Sequence, residues 1–346
     1  MTPTRRAVLA MAGALPMLAP RRAAATAWPR GTWEHADAGA LGWSRPRLDR
    51  FGGEVSQDPR SAVMVVQGGR LMAAFGDVAR KVEVASVRKS IMSALYGIAV
   101  AERRIDPTAN LVALGIDDRG SLSERERTAT VRDLLMARSG VYHAAAHETP
   151  DMRTRRPVRG SHAPGTHFHY NNWDFNALGT IYERATGEGL FAAVERRIAR
   201  PLGMEDFTAA DGREIREAAS MHPAHIIAFS ARDLARFGLL YARGGDWKGR
   251  QIVPRPWVEE STRAHSDGGN GLGYGYLWWT MPARARAPAL GRDAFFALGF
   301  GGHLIAVLPG RDLVVTRTVA PPFAGAAPPR LWEFLLGIVE AAPDRL

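Results

Sequence analysis

The sequence predicts an α/β (α+β) fold: one antiparallel sheet built from both ends of the chain, flanked by helices, with an inserted all-helical domain. Three observations carry this. Short β-type apolar runs lie at residues 62–75 and return after about residue 268. The stretch between them is dominated by helical periodicity and capping signals. Residues 330–341 then form an amphipathic helix that has such a sheet to pack against. The expected division is 28–90 with 266–346 for the sheet domain and 91–265 for the helical one, with the site between them. A chain of 346 residues, 46% hydrophobic and 23% charged, has the composition of a globular protein with ample core.

In chain order, Ser44-Arg45-Pro46-Arg47-Leu48 reads as a capped helix start leading to Phe51. Ala62–Val66 and Leu71–Phe75 flank Gly68-Gly69-Arg70, two apolar runs around a glycine turn, hence a hairpin. Residues 86–102 are helical, with Ile91, Leu95, Ile98 and Ala99 as the apolar stripe. Thr130-Val131-Arg132-Asp133 opens a helix with a capping-box pattern that Ser139-Gly140 ends. Pro164-Gly165 is a turn, and helices follow over 173–186, closed by Gly187, and over 190–199 before Pro201. Ser230 caps a further helix ending at Gly244-Gly245. Strands are expected over 274–280, 294–298, 303–308 and 313–319.

Residues 1–27 read as an export signal, twin-arginine in type. Arg5-Arg6 precedes an apolar run from Ala7 to Ala19, and Ala25-Thr26-Ala27 supplies small residues for cleavage. The run is too short, and too broken by Pro16 and Pro20, to span a bilayer, so no stable membrane anchor is expected. A periplasmic or secreted location follows. The net charge is +10, but four arginines in this segment leave a mild and scattered +6, which argues against nucleic-acid binding. The absence of cysteine excludes disulfides, a lipoprotein anchor, thiolate metal sites and a Cys nucleophile.

The chemistry begins at Ser86-Val87-Arg88-Lys89. The chain has only three lysines among its 45 Lys and Arg residues, and one of them follows a serine by one helical turn. Arg cannot give up its proton in a protein, whereas a desolvated lysine can act as a neutral base. Positions i and i+3 share a helix face, so the Lys89 amine reaches the Ser86 hydroxyl, the arrangement of an activated nucleophile. At a helix start the Ser86 N–H also faces outward, toward developing negative charge. Tyr170-Asn171-Asn172 offers a second proton handler: a phenol beside a protonated Lys is expected to have its pKa lowered from ~10 and to shuttle a proton. Asn172 brings an amide able to bond both Lys89 and a substrate carbonyl. Gly299-Phe300-Gly301-Gly302-His303 is a glycine-rich strand end where a substrate can lie against backbone N–H groups.

With these residues in order, the chain resembles the serine β-lactamases and penicillin-binding proteins, and within them the class C-related esterases and 6-aminohexanoate-oligomer hydrolases. The resemblance covers roughly residues 42–340. Besides Val84–Ile91 it rests on Thr130–Val141, Pro164-Gly165, Phe168–Asn172, Leu178-Gly179, Pro201–Met204, Tyr274–Trp279 and Gly299–Gly302. It implies a β-lactamase/transpeptidase-like fold and a serine hydrolase acting on an ester or amide through an acyl-enzyme. Ser86 matches the nucleophile, Lys89 the amine that accepts its proton, and Tyr170 the general base and acid. Asn172 fills the third position of the Tyr motif. The third motif, normally Lys or His, a small residue, then Gly, aligns with Ala297-Leu298-Gly299. Phe300 then supplies the second oxyanion N–H beside that of Ser86; an alternative register makes Gly302 the donor. With Ala297 in place of a cation, the site suits an ester or amide better than a penicillin. Tyr274, Trp278 and Trp279 are expected around an apolar acyl pocket, with at least one Trp going to the core.

Three rival readings have less behind them. Five of the ten histidines fall in residues 143–169, but His147-Glu148-Thr149-Pro150 gives no H-E-x-x-H, so neither a metal nor another cofactor is expected. No G-x-S-x-G elbow of an α/β-hydrolase occurs. A binding-only relative of the same fold is disfavoured by the joint presence of Ser86, Lys89 and Tyr170. A β-lactamase or D,D-peptidase remains the alternative within the family.

Overall fold

The computed structural model describes residues 27–269, 271–281, 288–322 and 331–343. The expected export segment lies outside them except for Ala27. The chain begins with α1 (Arg45–Ser56), the hairpin β1 (Ser61–Gln67) and β2 (Arg70–Phe75), then β3 (Val82–Glu83) and α2 (Val87–Ala101). The insertion follows with α3 (Val131–Leu135), α4 (Pro150–Arg155), α5 (Asn172–Thr186) and α6 (Leu190–Val194). A π-helical turn over Glu195–Ala199 joins α6 to α7 (Arg200–Leu202). Next come β4 (Gly212–Ile215), β5 (Ala224–Phe229), α8 (Ala231–Ala242), the small hairpin β6 (Asp246–Trp247) and β7 (Arg250–Gln251), and α9 (Arg255–Ser261). The C-terminal meander comprises β8 (Ser266–Asp267), β9 (Gly273–Tyr274), β10 (Trp279–Thr280), β11 (Phe295–Gly299), β12 (His303–Leu308) and β13 (Leu313–Val319). It is closed by α10 (Leu331–Ala341).

The main sheet has eight strands in the order β2-β1-β13-β12-β11-β10-β9-β8, and its pairs are antiparallel. The N-terminal hairpin joins the C-terminal meander where β1 pairs β13, from Ser61 opposite Val319 to Gln67 opposite Leu313. Both faces of this sheet are covered, so its central strands are continuously apolar rather than alternating. Met64, Val66, Ile305, Val307 and Val314 point into the core shared with α2 and α8. Val63, Val65, Leu304, Ala306 and Val315 point into the core beneath α1 and α10. On α8, Gly238 lets helix and sheet approach closely: a Cβ there would lie 2.5 Å from Val314 Cγ1.

Most expected elements appear, with instructive differences. The insertion is not all-helical: its β4 and β5 pair, with β3 from the segment before α2 adding to β5 as a third strand, and β6–β7 form a second small sheet. Ser44 precedes α1 without a side-chain cap, and Pro46 sits in the helix's first turn instead. The Thr130 capping box forms, with Thr130 Oγ1 accepting from Asp133 N–H at 3.2 Å and Asp133 accepting from Thr130 N–H at 2.9 Å. That helix nevertheless ends early, because Ala137 turns into the left-handed region at φ +54°. The single strand expected over 274–280 is a tight reversal, with Tyr274 opposite Trp279. Gly275 lies so close to the Ser261 carbonyl that a Cβ would sit 2.1 Å from its oxygen, and Leu277 adopts φ +63°.

Candidate active site

α2 runs between the main sheet and the insertion, which explains why it is buried almost all round, polar residues included. Val84 N–H bonds Ile227 O at 3.1 Å, tying the segment before the helix to the small sheet. The chain then turns at Ala85, whose φ of +46° is unusual for a residue with a Cβ. That turn sets Ser86 at the helix entrance, half-exposed, while Lys89 one turn on is only 2% exposed. The i, i+3 spacing brings Lys89 Nζ to 3.1 Å from Ser86 Oγ.

The second side comes from the start of α5. Asn171 caps it, Oδ1 accepting from Asp174 N–H at 2.8 Å, so Tyr170 and Asn172 flank the cap and both face α2. Lys89 Nζ donates to Tyr170 Oη at 2.7 Å and to Asn172 Oδ1 at 3.3 Å. Asn172 Nδ2 donates to the His147 carbonyl at 2.6 Å, which fixes the amide oxygen toward the amine. The amine sits between two rings, 4.3 Å from the centroid of Tyr170 and 4.2 Å from that of Phe175.

Burial sets the charges here. It depresses the Lys89 ammonium well below its ordinary range, and the neighbouring Arg88 cation pushes the same way. Burial raises the Tyr170 phenol to about 12, against the opposing pull of its hydrogen bond with Ser86 and the Arg88 charge. The expectation of a lowered phenol is not met: burial raises Tyr170, and it also disfavours the adjacent Lys89 ammonium that would stabilise a phenolate. A neutral amine has two N–H groups and one lone pair, while three polar partners surround Lys89. Since the Asn172 oxygen can only accept, one of the two hydroxyls must face the lone pair. The arrangement therefore holds a proton acceptor against a hydroxyl and a protonated phenol beside both.

The third side is the end of β11. A Cβ on Gly299 would lie 2.5 Å from the Val84 carbonyl oxygen and 3.3 Å from Val87 Cγ2, so the strand end presses on the turn that carries Ser86. Gly302 N–H closes the following turn onto Gly299 O at 3.2 Å, which engages the donor that the alternative oxyanion register requires. Phe300 is next to Gly299 and is 70% exposed. Ala297 is buried on the same core side of the strand as Phe295 and offers no charge.

The expected aromatic pocket divides differently. Trp278 is fully buried against Phe237, Tyr241 and Phe295, at centroid distances of 6.0, 4.6 and 5.1 Å; it belongs to the core and does not line the site. Tyr274 is also buried, edge-on to the Tyr170 ring at 5.9 Å, so it backs the phenol rather than meeting solvent. The reversal at Gly275 is the cause, since it sends Trp278 inward and leaves partly exposed Trp279 stacked on Tyr170 at 5.5 Å. Sequence reasoning also passed over Phe175, one helical turn after Asn172 and so on its face, and the His147 carbonyl, which no side-chain motif announces. His143 turns toward Glu126, its Nε2 3.5 Å from Glu126 Oε2, and the His147 backbone N–H donates to Glu217 at 3.0 Å.

The chain has relatives of known family and fold. The profile of the family described as Beta-lactamase matches residues 54–328. Among solved structures, a Bacillus anthracis protein assigned as a 6-aminohexanoate-dimer hydrolase is similar with a TM-score of 0.66 at 20% identity, covering 92% of this chain and 89% of that one. A class C beta-lactamase gives 0.64 at 15% identity, with 90% and 99% covered. EstCE1, a hydrolase with promiscuous acyltransferase activity, gives 0.60 at 16%, with 86% and 97% covered. Among curated proteins none matches the sequence. A profile match over most of the chain, on this fold, makes the protein a member of the Beta-lactamase family and a serine hydrolase of that superfamily.

Proposed function

We propose that the protein hydrolyses an ester or amide through an acyl-enzyme on Ser86. The observation that carries this is the convergence on Lys89 Nζ of Ser86 Oγ at 3.1 Å and Tyr170 Oη at 2.7 Å, in a pocket that disfavours the ammonium. Lys89 accepts the Ser86 proton as Oγ attacks the carbonyl carbon. The N–H groups of Ser86 and Phe300, with the positive end of α2, hold the oxyanion. Tyr170, protonated through neutral pH, gives its proton to the leaving group and recovers one from Lys89. Water then enters by the reverse relay and releases the acid. Asn172 orients the amine, while Trp279 and the exposed Phe300 ring supply apolar surface at the rim.

A penicillin or D-peptide substrate is less well served, because Ala297 puts no cation on β11 to hold a carboxylate there. Export by the N-terminal segment belongs to the same reading, and the mass of the mature protein recovered outside the cytoplasm tests it. The main experiment compares p-nitrophenyl acetate and butyrate hydrolysis by the wild type and Ser86→Ala, with fluorophosphonate labelling and peptide mapping. A fall of about 10³-fold or more and a label on Ser86 are expected. Equal rates in the two proteins would overturn the proposal.

A further inference from the structure

Arg88 is the residue of the nucleophile turn that the mechanism above gives no task. It is 6% exposed, lies in the first turn of a 15-residue helix with no acidic residue in that turn, and precedes Lys89 directly. Among the described residues no hydrogen bond or ion pair reaches its guanidinium, and its Nε is enclosed without an acceptor. Buried Arg236 does find a carboxylate, Glu205 at 2.8 Å, and partly buried Arg197 meets Glu102 at 2.7 Å. The two acids whose charges bear on neighbouring His147 are engaged elsewhere, Glu83 by Arg213 at 2.8 Å and Glu217 by the His147 backbone N–H at 3.0 Å. An unpaired buried cation is costly to keep. Burial lowers its pKa only to about 10, so it remains charged at neutral pH. Arg88 lies two residues after Ser86 and directly before Lys89 in the first turn of α2, and its charge bears on Lys89, Tyr170 and His147.

We propose that Arg88, helped by the positive N-terminus of α2, holds a carboxylate of the substrate, so that the favoured esters or amides are anionic near the scissile bond. A guanidinium suits this because its fork meets a carboxylate in two parallel hydrogen bonds. The anion is then gripped from the helix, not from β11, where Ala297 has nothing to offer. This rests on the reading of Ser86 as nucleophile.

The test uses two pairs of chromogenic esters that differ in one carboxylate. On the acyl side, mono-p-nitrophenyl glutarate is compared with p-nitrophenyl butyrate; on the leaving side, 4-carboxyphenyl butyrate is compared with 4-carbamoylphenyl butyrate. The readout is the kcat/KM ratio within each pair for the wild type, Arg88→Gln and Arg88→Lys. The wild type is expected to favour the anionic member of one pair about tenfold or more, with the preference lost in Arg88→Gln and partly restored in Arg88→Lys. No preference in the wild type, or one that survives Arg88→Gln, overturns the proposal. So does a change confined to the pH profile, which would make Arg88 only a modulator of Lys89. Should Arg88→Gln not fold, competition on the wild type decides: inhibition by free glutarate well beyond that by glutaramide supports the proposal, and equal inhibition rejects it. Ser86-independent hydrolysis would instead remove the nucleophile reading, so the two failures are distinct.

Discussion

Lys89 owes its chemistry to its surroundings. A lysine on a solvated helix stays an ammonium, whereas this one lies between two aromatic rings, next to a fixed cation and remote from any carboxylate partner. Activity should therefore rise as Lys89 loses its proton, at a pH well below the ordinary lysine range. It should then stay level, because Tyr170 keeps its proton until about pH 12. A kcat/KM profile that falls between pH 8 and 10 would contradict this. Lys89→Arg should abolish turnover, by about 10³-fold or more, while leaving the circular dichroism spectrum intact, since guanidinium cannot serve as a base. Ser86, Lys89, Tyr170 and Asn172 were legible in the sequence because S-x-x-K and Y-x-N fix their spacing on helix starts. The protonation state of Tyr170 was not, because it depends on how many charges survive around it after burial.

Between elements, the decisive contact is the end of β11 against the turn before α2. Gly299→Ala should place a methyl against the Val84 carbonyl and push the strand off the nucleophile. Overpacking of this kind costs about 1–3 kcal/mol. A displacement of about 1 Å in the oxyanion region is expected to lower kcat about 10²-fold. Thermal melting with single-turnover kinetics checks both, and unchanged kcat would show that the contact does not position the site. The strands and helices with long apolar runs or clear caps were readable in the sequence. Two-residue strands such as β3 and β6 were not, since pairs that short carry no periodicity. The 274–280 segment was misread because its β-type residues conceal a reversal forced by the space around Gly275 and the positive φ of Leu277.

For the whole molecule, the fold was anticipated from strands at both termini, because a hairpin and a meander that each expose edges must pair to bury them. The insertion's small sheet was missed, yet it anchors Val84 and hence the nucleophile. Stability carries its own signature. Asp174, fully buried in the first turn of α5 and accepting from the Ser139 hydroxyl, has its carboxyl raised to about 8, chiefly by burial. Between pH 4 and 8 the unfolded chain has lost this proton and the folded chain keeps it. Asp174 should therefore lower stability as pH rises through that window. Asp174→Asn should remove that part of the slope, gaining relative to the wild type as pH climbs. Denaturant midpoints at pH 5 and 8 would show it, and parallel curves would count against it.

With three lysines in the chain, the protonation state on which the mechanism depends can be observed directly. Lysine labelled with 13C at Cε gives one signal each for Lys81, Lys89 and Lys248, and Lys89→Ala identifies the one of interest. That signal should titrate well below 10.5, apart from the other two. Three lysines titrating together at the ordinary value would mean that Lys89 is an ammonium at working pH and cannot take the proton of Ser86.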